Sequence, residues 1–213
     1  MNFAPSLGVL LAYSAAGVLL ALTPGPDMAL FLSRTLTGGR AAGLAALAGA
    51  MSGLLVHTLA AAIGLTALLA ASPAAYGALK LAGALYLLWL AFNALRRGSA
   101  LPLDAAQAGG ASLATSYWTG VGINLTNPKI ILFFVTFLPQ FIDAGDPQAS
   151  QKLAFLGIYF ILIGATLNAG VIMIAARFVA AARRHPGFAR GFDYGFAGLM
   201  TAFALRLLAS YAR

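Results

Sequence analysis

The sequence predicts an all-α integral membrane protein with six transmembrane helices, arranged as two inverted repeats of three helices each. Of its 213 residues, 61% are hydrophobic and only 8% are charged, and the mean hydropathy of +0.89 is far above that of a soluble domain. Apolar segments of spanning length continue to the C-terminus. We expect one membrane transport domain over residues 1–213, with repeat one at about 1–97, a connector at about 98–114 and repeat two at about 115–213.

A proline motif interrupts the first predicted span, which runs from Phe3 to Leu36. In Thr23-Pro24-Gly25-Pro26-Asp27 the two prolines lack N–H groups, so the carbonyl groups of Leu20 and Leu22 lose their helical partners. Thr23 followed by Pro24 is a helix-start signal, and we expect a second half-helix to begin there with its positive end inside the protein. Transporters place substrate sites at such breaks, because broken backbone at membrane depth must be satisfied by protein or by a water-filled cavity.

The other spans follow from the turn signals between the apolar runs. After a turn at Gly38-Gly39-Arg40, the expected spans are Ala41–Ala71, Ala74–Leu95, Thr115–Ile142, Leu153–Ala182 and Phe192–Tyr211.

Basic residues in alternate loops predict how the bundle is oriented, because such residues concentrate on the cytoplasmic side. The opposite loop holds Asp143 and Asp146 with only Lys152, so both termini are expected outside. The alternative is a first segment that re-enters the membrane, which gives five crossings and a cytoplasmic N-terminus. The basic residues on the predicted cytoplasmic side are Arg34, Arg40, Arg96, Arg97, Arg183, Arg184 and Arg190.

The fourth span carries a second break, Asn124-Leu125-Thr126-Asn127-Pro128-Lys129. Here Asn127 can cap a half-helix and Pro128 suits its first position. A weak internal repeat superposes Pro26 on Pro128, which matches Asp27 with Lys129. Since each half holds three spans, the second half must enter the membrane in the opposite sense, which predicts inverted repeats with helices one and four both broken.

Two half-helix N-termini meeting near mid-membrane would form a site for a zwitterion. The N-termini favour a carboxylate, Asp27 could accept an ammonium or a proton, and Lys129 could hold a carboxylate or neutralise Asp27 in the empty site. The alternative is a permanent Asp27–Lys129 ion pair that braces the breaks. The candidate substrate-binding residues are Thr23, Pro24, Gly25, Pro26, Asp27, Asn124, Asn127, Pro128 and Lys129.

His57 lies on a stripe of small residues, Ala45-Gly49-Gly53-His57-Ala61, whose four-residue spacing predicts a helix face packed closely on a neighbour. A hydrogen-bonded core histidine is the favoured interpretation. The alternative is a proton-coupling role for His57, with Asp27 as the other candidate, because histidine changes charge near neutral pH. The Gly49/Gly53 and Gly191/Gly195 pairs permit close helix contacts within or between subunits, so the sequence is compatible with a homo-oligomer.

The motifs around the two breaks resemble the LysE/RhtB superfamily of small bacterial amino-acid exporters over nearly the whole chain. The most specific stretches are Thr23-Pro24-Gly25-Pro26-Asp27 with Leu32-Ser33-Arg34, and Asn127-Pro128-Lys129 with Phe133-Phe134 and Phe137-Leu138-Pro139-Gln140-Phe141. The resemblance implies an exporter in the cytoplasmic (inner) membrane that handles amino acids or close derivatives, with the homoserine/threonine-like branch closer than the lysine branch.

The composition argues against other classes. The chain has no cysteine, and neither His57 nor His185 has metal-ligand spacing, so no cofactor, no metal and no enzyme activity are expected. Basic residues between apolar spans indicate membrane orientation rather than nucleic-acid binding. Secondary active export by alternating access, driven by the proton gradient or by exchange, is the first hypothesis. A channel or pore for small solutes is the alternative, although it would need a continuous polar lining.

Overall fold

Every regular element in the part of the chain that the structure describes is a helix. The structure, a computed structural model, describes residues 5–65, 67, 73–97, 111–142, 146–184 and 186–211. Most of the predicted connector (98–110), Asp143 and both chain ends lie outside these residues. The α-helices are α1 (Leu7–Leu22), α2 (Pro26–Ala60), α3 (Pro73–Arg97), α4 (Leu113–Thr126), α5 (Pro128–Leu132), α6 (Ala149–Met173), α7 (Ala175–Arg184) and α8 (Pro186–Tyr211).

The predicted break in the first span is confirmed, but the second half-helix begins two residues later than expected. Gly25 is the cap of α2 and Pro26 its first residue, where the sequence suggested Thr23 and Pro24. Thr23 instead ends α1, because its hydroxyl group donates backwards to the carbonyl oxygen of Leu19 at 2.6 Å. A threonine that bonds to the preceding turn cannot cap the following one.

The turn predicted at Gly38-Gly39-Arg40 reverses the direction of α2. Gly39 has φ 81°, a left-handed conformation that favours glycine. A Cβ atom on Gly43 would lie 3.2 Å from the carbonyl oxygen of Phe31, although residues twelve apart in a straight helix are about 18 Å apart. The two segments of α2, before and after Gly39, therefore lie side by side.

The second segment of α2 packs directly on α4, as the small-residue stripe predicts. A Cβ atom on Gly49 would lie 1.9 Å from the carbonyl oxygen of Tyr117. In the reverse direction, a Cβ atom on Gly120 would lie 2.2 Å from the carbonyl oxygen of Ala46. The two backbones touch, and only glycine fits at either point.

The second break also forms where the sequence predicts it. The Asn127 side chain accepts a hydrogen bond from the Lys129 N–H group at 3.0 Å, and Pro128 is the first residue of α5. The helix then widens into a π-helix at Phe133–Phe137 and tightens into a 3₁₀-helix at Leu138–Phe141. The segments before and after Asn127 are bent by 51°.

The last two predicted spans differ from the structure at their boundaries. The fifth was expected to run to Ala182, but α6 ends at Met173 and a separate helix, α7, follows a break at Ile174. The sixth was expected from Phe192, but α8 begins at Pro186, where proline suits a first helical position. Helix α8 packs on α3, while α6 packs on α1 and α2.

Two helical segments are long and apolar enough to cross a membrane, Pro26–Gly64 and Ala149–Met173. The bent pair Leu113–Thr126 and Pro128–Phe141 becomes a third if it counts as one span. Leu7–Leu22 and Leu81–Arg96 are shorter apolar helices. Because α2 reverses at Gly39, its long apolar stretch contributes two antiparallel segments.

Candidate functional site

The two helix breaks meet inside the protein, beside a cavity with about 420 Å³ of atom-free space including its open mouth. Its polar lining comes from both breaks and from α6. The polar side chains are Thr23, Asp27, Asn124, Lys129 and Asn168.

Asp27 stands in the first turn of α2 and is held by both asparagines of the second break. Its Oδ2 atom accepts hydrogen bonds from the Asn127 amide at 2.8 Å and from the Asn124 amide at 3.3 Å. Its Oδ1 atom is buried and has no hydrogen-bond partner. The side-chain oxygen of Asn124, in a residue only 1% exposed, is buried and unpartnered as well. Two residues that line the cavity therefore each carry a buried acceptor without a donor, and such atoms are costly in the empty protein.

Lys129 contacts the first break rather than Asp27. Its ammonium group donates to the carbonyl oxygens of Thr23 at 3.0 Å and Leu20 at 3.3 Å. The carbonyl group of Leu20 is the one that has no helical partner, because Pro24 has no N–H group. Neither carboxylate oxygen of Asp27 lies within ion-pair distance of Lys129, so the permanent ion pair considered from the sequence is not the arrangement here. An ammonium group has three donors, and two are used.

The carbonyl group released by Pro128 is satisfied in a parallel way. The backbone carbonyl oxygen of Asn124 accepts a hydrogen bond from the Asn127 N–H group at 3.1 Å and lies 3.4 Å from His57 Nε2. The His57 ring also lies 5.7 Å from the ring of Phe134. A side chain from another helix thus meets the freed carbonyl group at each break, and this position fits the hydrogen-bonded core histidine favoured from the sequence.

The structure separates the nine predicted site residues into two groups. Four of them, Thr23, Asp27, Asn124 and Lys129, line the cavity. The other five do not line the cavity but fix the backbone conformation of the breaks or orient Asp27: Pro24, Gly25, Pro26, Asn127 and Pro128. His57 does not line it either.

Sequence reasoning missed the apolar wall of the cavity. The larger apolar side chains of this wall include Met28 and Phe31 from α2, Met51 and Leu54 from its returning segment, and Phe160 from α6. Residues four apart share a helix face, so the spacing from Asp27 could have found Phe31. Nothing local predicts the others, because their placement depends on the reversal at Gly39 and on how the helices pack.

An apolar helical bundle whose two broken helices enclose a polar, partly charged cavity is the architecture of a membrane transporter. The comparisons with known proteins agree. The chain belongs to the LysE type translocator family, whose model matches residues 18–211. The family consists of transporters rather than enzymes, and the chain is a multi-pass membrane protein.

Three relatives show how far the similarity extends. A homoserine/homoserine lactone efflux protein of Salmonella typhimurium is 33% identical over 169 residues, covering 79% of this chain and 81% of the relative. A leucine efflux protein of an Enterobacter species is 32% identical over 157 residues, covering 73% and 71%. An uncharacterised membrane protein of Pseudomonas aeruginosa is 31% identical over 210 residues, covering 95% and 97%. No solved structure matches.

Proposed function

We propose that the protein exports amino acids or close derivatives, of the homoserine/threonine type, across the bacterial cytoplasmic membrane by alternating access around the cavity between the two breaks. The observation that carries this proposal is the Asp27 carboxylate, whose Oδ1 atom has no partner at a cavity that both halves of the chain build. An unsatisfied carboxylate oxygen in a membrane protein needs a ligand, and an ammonium group is the matching one.

The names of the relatives fit this assignment. Homoserine, its lactone and leucine all carry an amine, but the lactone has no free carboxylate. Binding in the central cavity that depends on the amine suits all three. In our proposal the ammonium group binds Asp27 Oδ1 and Asn124 Oδ1, and the remaining donor of Lys129 takes the carboxylate where there is one.

Asp27 is also the first candidate for proton coupling, because a carboxylate that releases an ammonium ligand can take a proton in its place. His57 is the second candidate. A channel fits less well, since the polar side chains gather at one cavity instead of forming a continuous lining.

The proposed topology keeps six spans in two inverted repeats, with both termini outside, as one transport domain. Single-cysteine labelling tests it cleanly, because the chain has no cysteine. Asp146→Cys should label from outside and Gly109→Cys from inside, and labelling of both from one side would contradict six spans. Labelling of Asn2→Cys from the cytoplasm alone would support the five-crossing alternative.

Efflux from proteoliposomes loaded with a panel of amino acids tests the function. A transporter saturates with substrate and exchanges labelled for unlabelled amino acid, whereas a pore gives a flux that rises linearly with concentration. Linear flux, or chemical conversion of the substrate, would contradict the proposal.

A further inference from the structure

A second cavity lies at the far end of the first segment of α2, with about 950 Å³ of atom-free space including its opening. Thr35, Leu36, Gly39 and Arg40 line it from α2, and residues 172–177 line it from the end of α6 and the start of α7. This second cavity has no role in the substrate site proposed above. We call it the vestibule.

The vestibule and the central cavity lie along the same two helices. On α2, Asp27 and Phe31 line the central cavity and Thr35 lines the vestibule. On α6, Asn168 lines the central cavity and Ile172 the vestibule. Each step is four residues, about one helical turn, so the two cavities are neighbours on one path.

A buried apolar cluster separates them. Phe31, which faces the central cavity, and Ile172, which faces the vestibule, belong to the same cluster and are 3% and 1% exposed. Leu47 fills the same cluster. The helices are interrupted on both sides of the vestibule, at Gly39 and at Ile174. The backbone can bend at either position without breaking hydrogen bonds inside a continuous helix.

The charge of the vestibule is positive. Arg40 and Arg177 both line it, and none of its lining residues is acidic. Neither arginine has an ion-pair partner in the described part of the chain. Guanidinium groups bind carboxylates through two parallel hydrogen bonds, and their weak hydration lowers the cost of desolvating them on binding.

We propose that the vestibule is the cytoplasmic entrance of the exporter, where Arg40 and Arg177 bind the carboxylate of the substrate before the Phe31–Ile172 cluster opens to the central cavity. This rests on the proposed function and on the orientation that places Arg40 inside. A free carboxylate is then bound first at the vestibule and passes to Lys129 in the central cavity, where Asp27 binds the amine.

Uptake into inside-out membrane vesicles tests the proposal, because these vesicles present the cytoplasmic face to the medium. Arg40→Gln and Arg177→Gln should each raise the half-saturating concentration of the amino acid about two- to fivefold, the range for an exposed ion pair, and the double variant more. The maximal rate should be unchanged. The carboxamide of the same amino acid, measured as an inhibitor of uptake, should bind all variants equally.

Arg190→Gln is the matched control, since Arg190 is exposed, belongs to the same predicted side and does not line the vestibule. An equal shift for Arg190→Gln, or for the carboxamide, would overturn the proposal. So would an effect that disappears in liposomes of zwitterionic phosphatidylcholine alone, because the arginines would then act by binding anionic lipid headgroups.

The wild-type protein offers a second measurement if the double variant does not fold. Raising the salt concentration should weaken binding of the amino acid more than that of its carboxamide, and equal weakening would overturn the proposal. Failure here is distinct from failure of the proposed function: transport of no amino acid by the wild-type protein contradicts the exporter, whereas normal transport with unshifted half-saturation contradicts only the vestibule.

Discussion

Adding one methyl group at Gly49 tests whether backbone contact holds α2 against α4. The new Cβ atom would lie 1.9 Å from the carbonyl oxygen of Tyr117, 2.8 Å from its carbonyl carbon and 3.0 Å from the backbone nitrogen of Val121. All three are main-chain atoms, so no side-chain rotation can relieve the clash. The helices must separate by about 1.5 Å to reach ordinary contact distance.

Overpacking of this kind costs about 1–3 kcal/mol in stability. Separation also moves Asn124, which a Cβ atom on Gly53 would approach to 2.6 Å, and with it the amide that holds Asp27. We therefore expect Gly49→Ala to lower the unfolding temperature of the purified protein and to weaken transport by the fraction that stays folded.

Gly122→Ala is the matched control, because Gly122 is on α4 and a Cβ atom there meets nothing within 4 Å. Alanine should stabilise that helical position by about 0.5–1 kcal/mol. Gly49→Ala with stability and transport equal to those of Gly122→Ala would refute the close packing of α2 on α4.

Three further predictions concern single residues. Lys129→Met should lower stability, because the two lost hydrogen bonds to carbonyl groups, about 1.5–3 kcal/mol each, outweigh the gain of about 2.5–3.5 kcal/mol from removing a charge from the membrane interior; thermal unfolding no worse than that of Lys152→Met, which loses only the loop ion pair with Asp146, would contradict this. His57→Gln should keep the pH profile of transport, since an amide can also donate to the freed carbonyl group, and a lost pH dependence at unchanged abundance would assign proton coupling to His57. Gly39→Ala should cost about 1–2 kcal/mol of unfolding free energy because alanine is strained at φ 81°, and unchanged denaturant unfolding would show that the reversal does not need glycine.

Residue chemistry alone predicted both breaks, since a proline without an N–H group inside an apolar run has few alternatives. It also predicted the close packing of the glycine stripe and the turn at Gly39. Whether the halves form inverted repeats stays a prediction. The predicted start of α2 was wrong. The Thr23 hydroxyl group can bond to the following helix as a cap or to the preceding turn, as it does here, and only its surroundings decide which.

The partners of the charged residues could not be predicted. Pairing Asp27 with Lys129 is the natural expectation from opposite charges at equivalent positions. In the structure each is held by groups that the breaks themselves provide: amides for Asp27 and carbonyl groups for Lys129. Backbone groups carry no sequence signature, so a lysine that satisfies them cannot be told from one that pairs with an acid.

The central claim is that Asp27 binds the substrate amine, and exchange of labelled amino acid by proteoliposomes containing Asp27→Asn tests it most directly. The asparagine oxygen can still accept hydrogen bonds from Asn124 and Asn127, so the protein should fold. Losing the charge opposite an ammonium group lowers the binding free energy by about 1.5–3 kcal/mol, or roughly 10- to 150-fold in affinity. The control is Asp146→Asn, because Asp146 lies in the loop before α6, where hydrogen bonds from Lys152 and the Gln148 N–H group hold its pKa below the usual value. We predict that exchange at sub-saturating amino acid falls about tenfold or more in Asp27→Asn and is kept in Asp146→Asn, at equal amounts of folded protein. Wild-type exchange by Asp27→Asn would contradict the account.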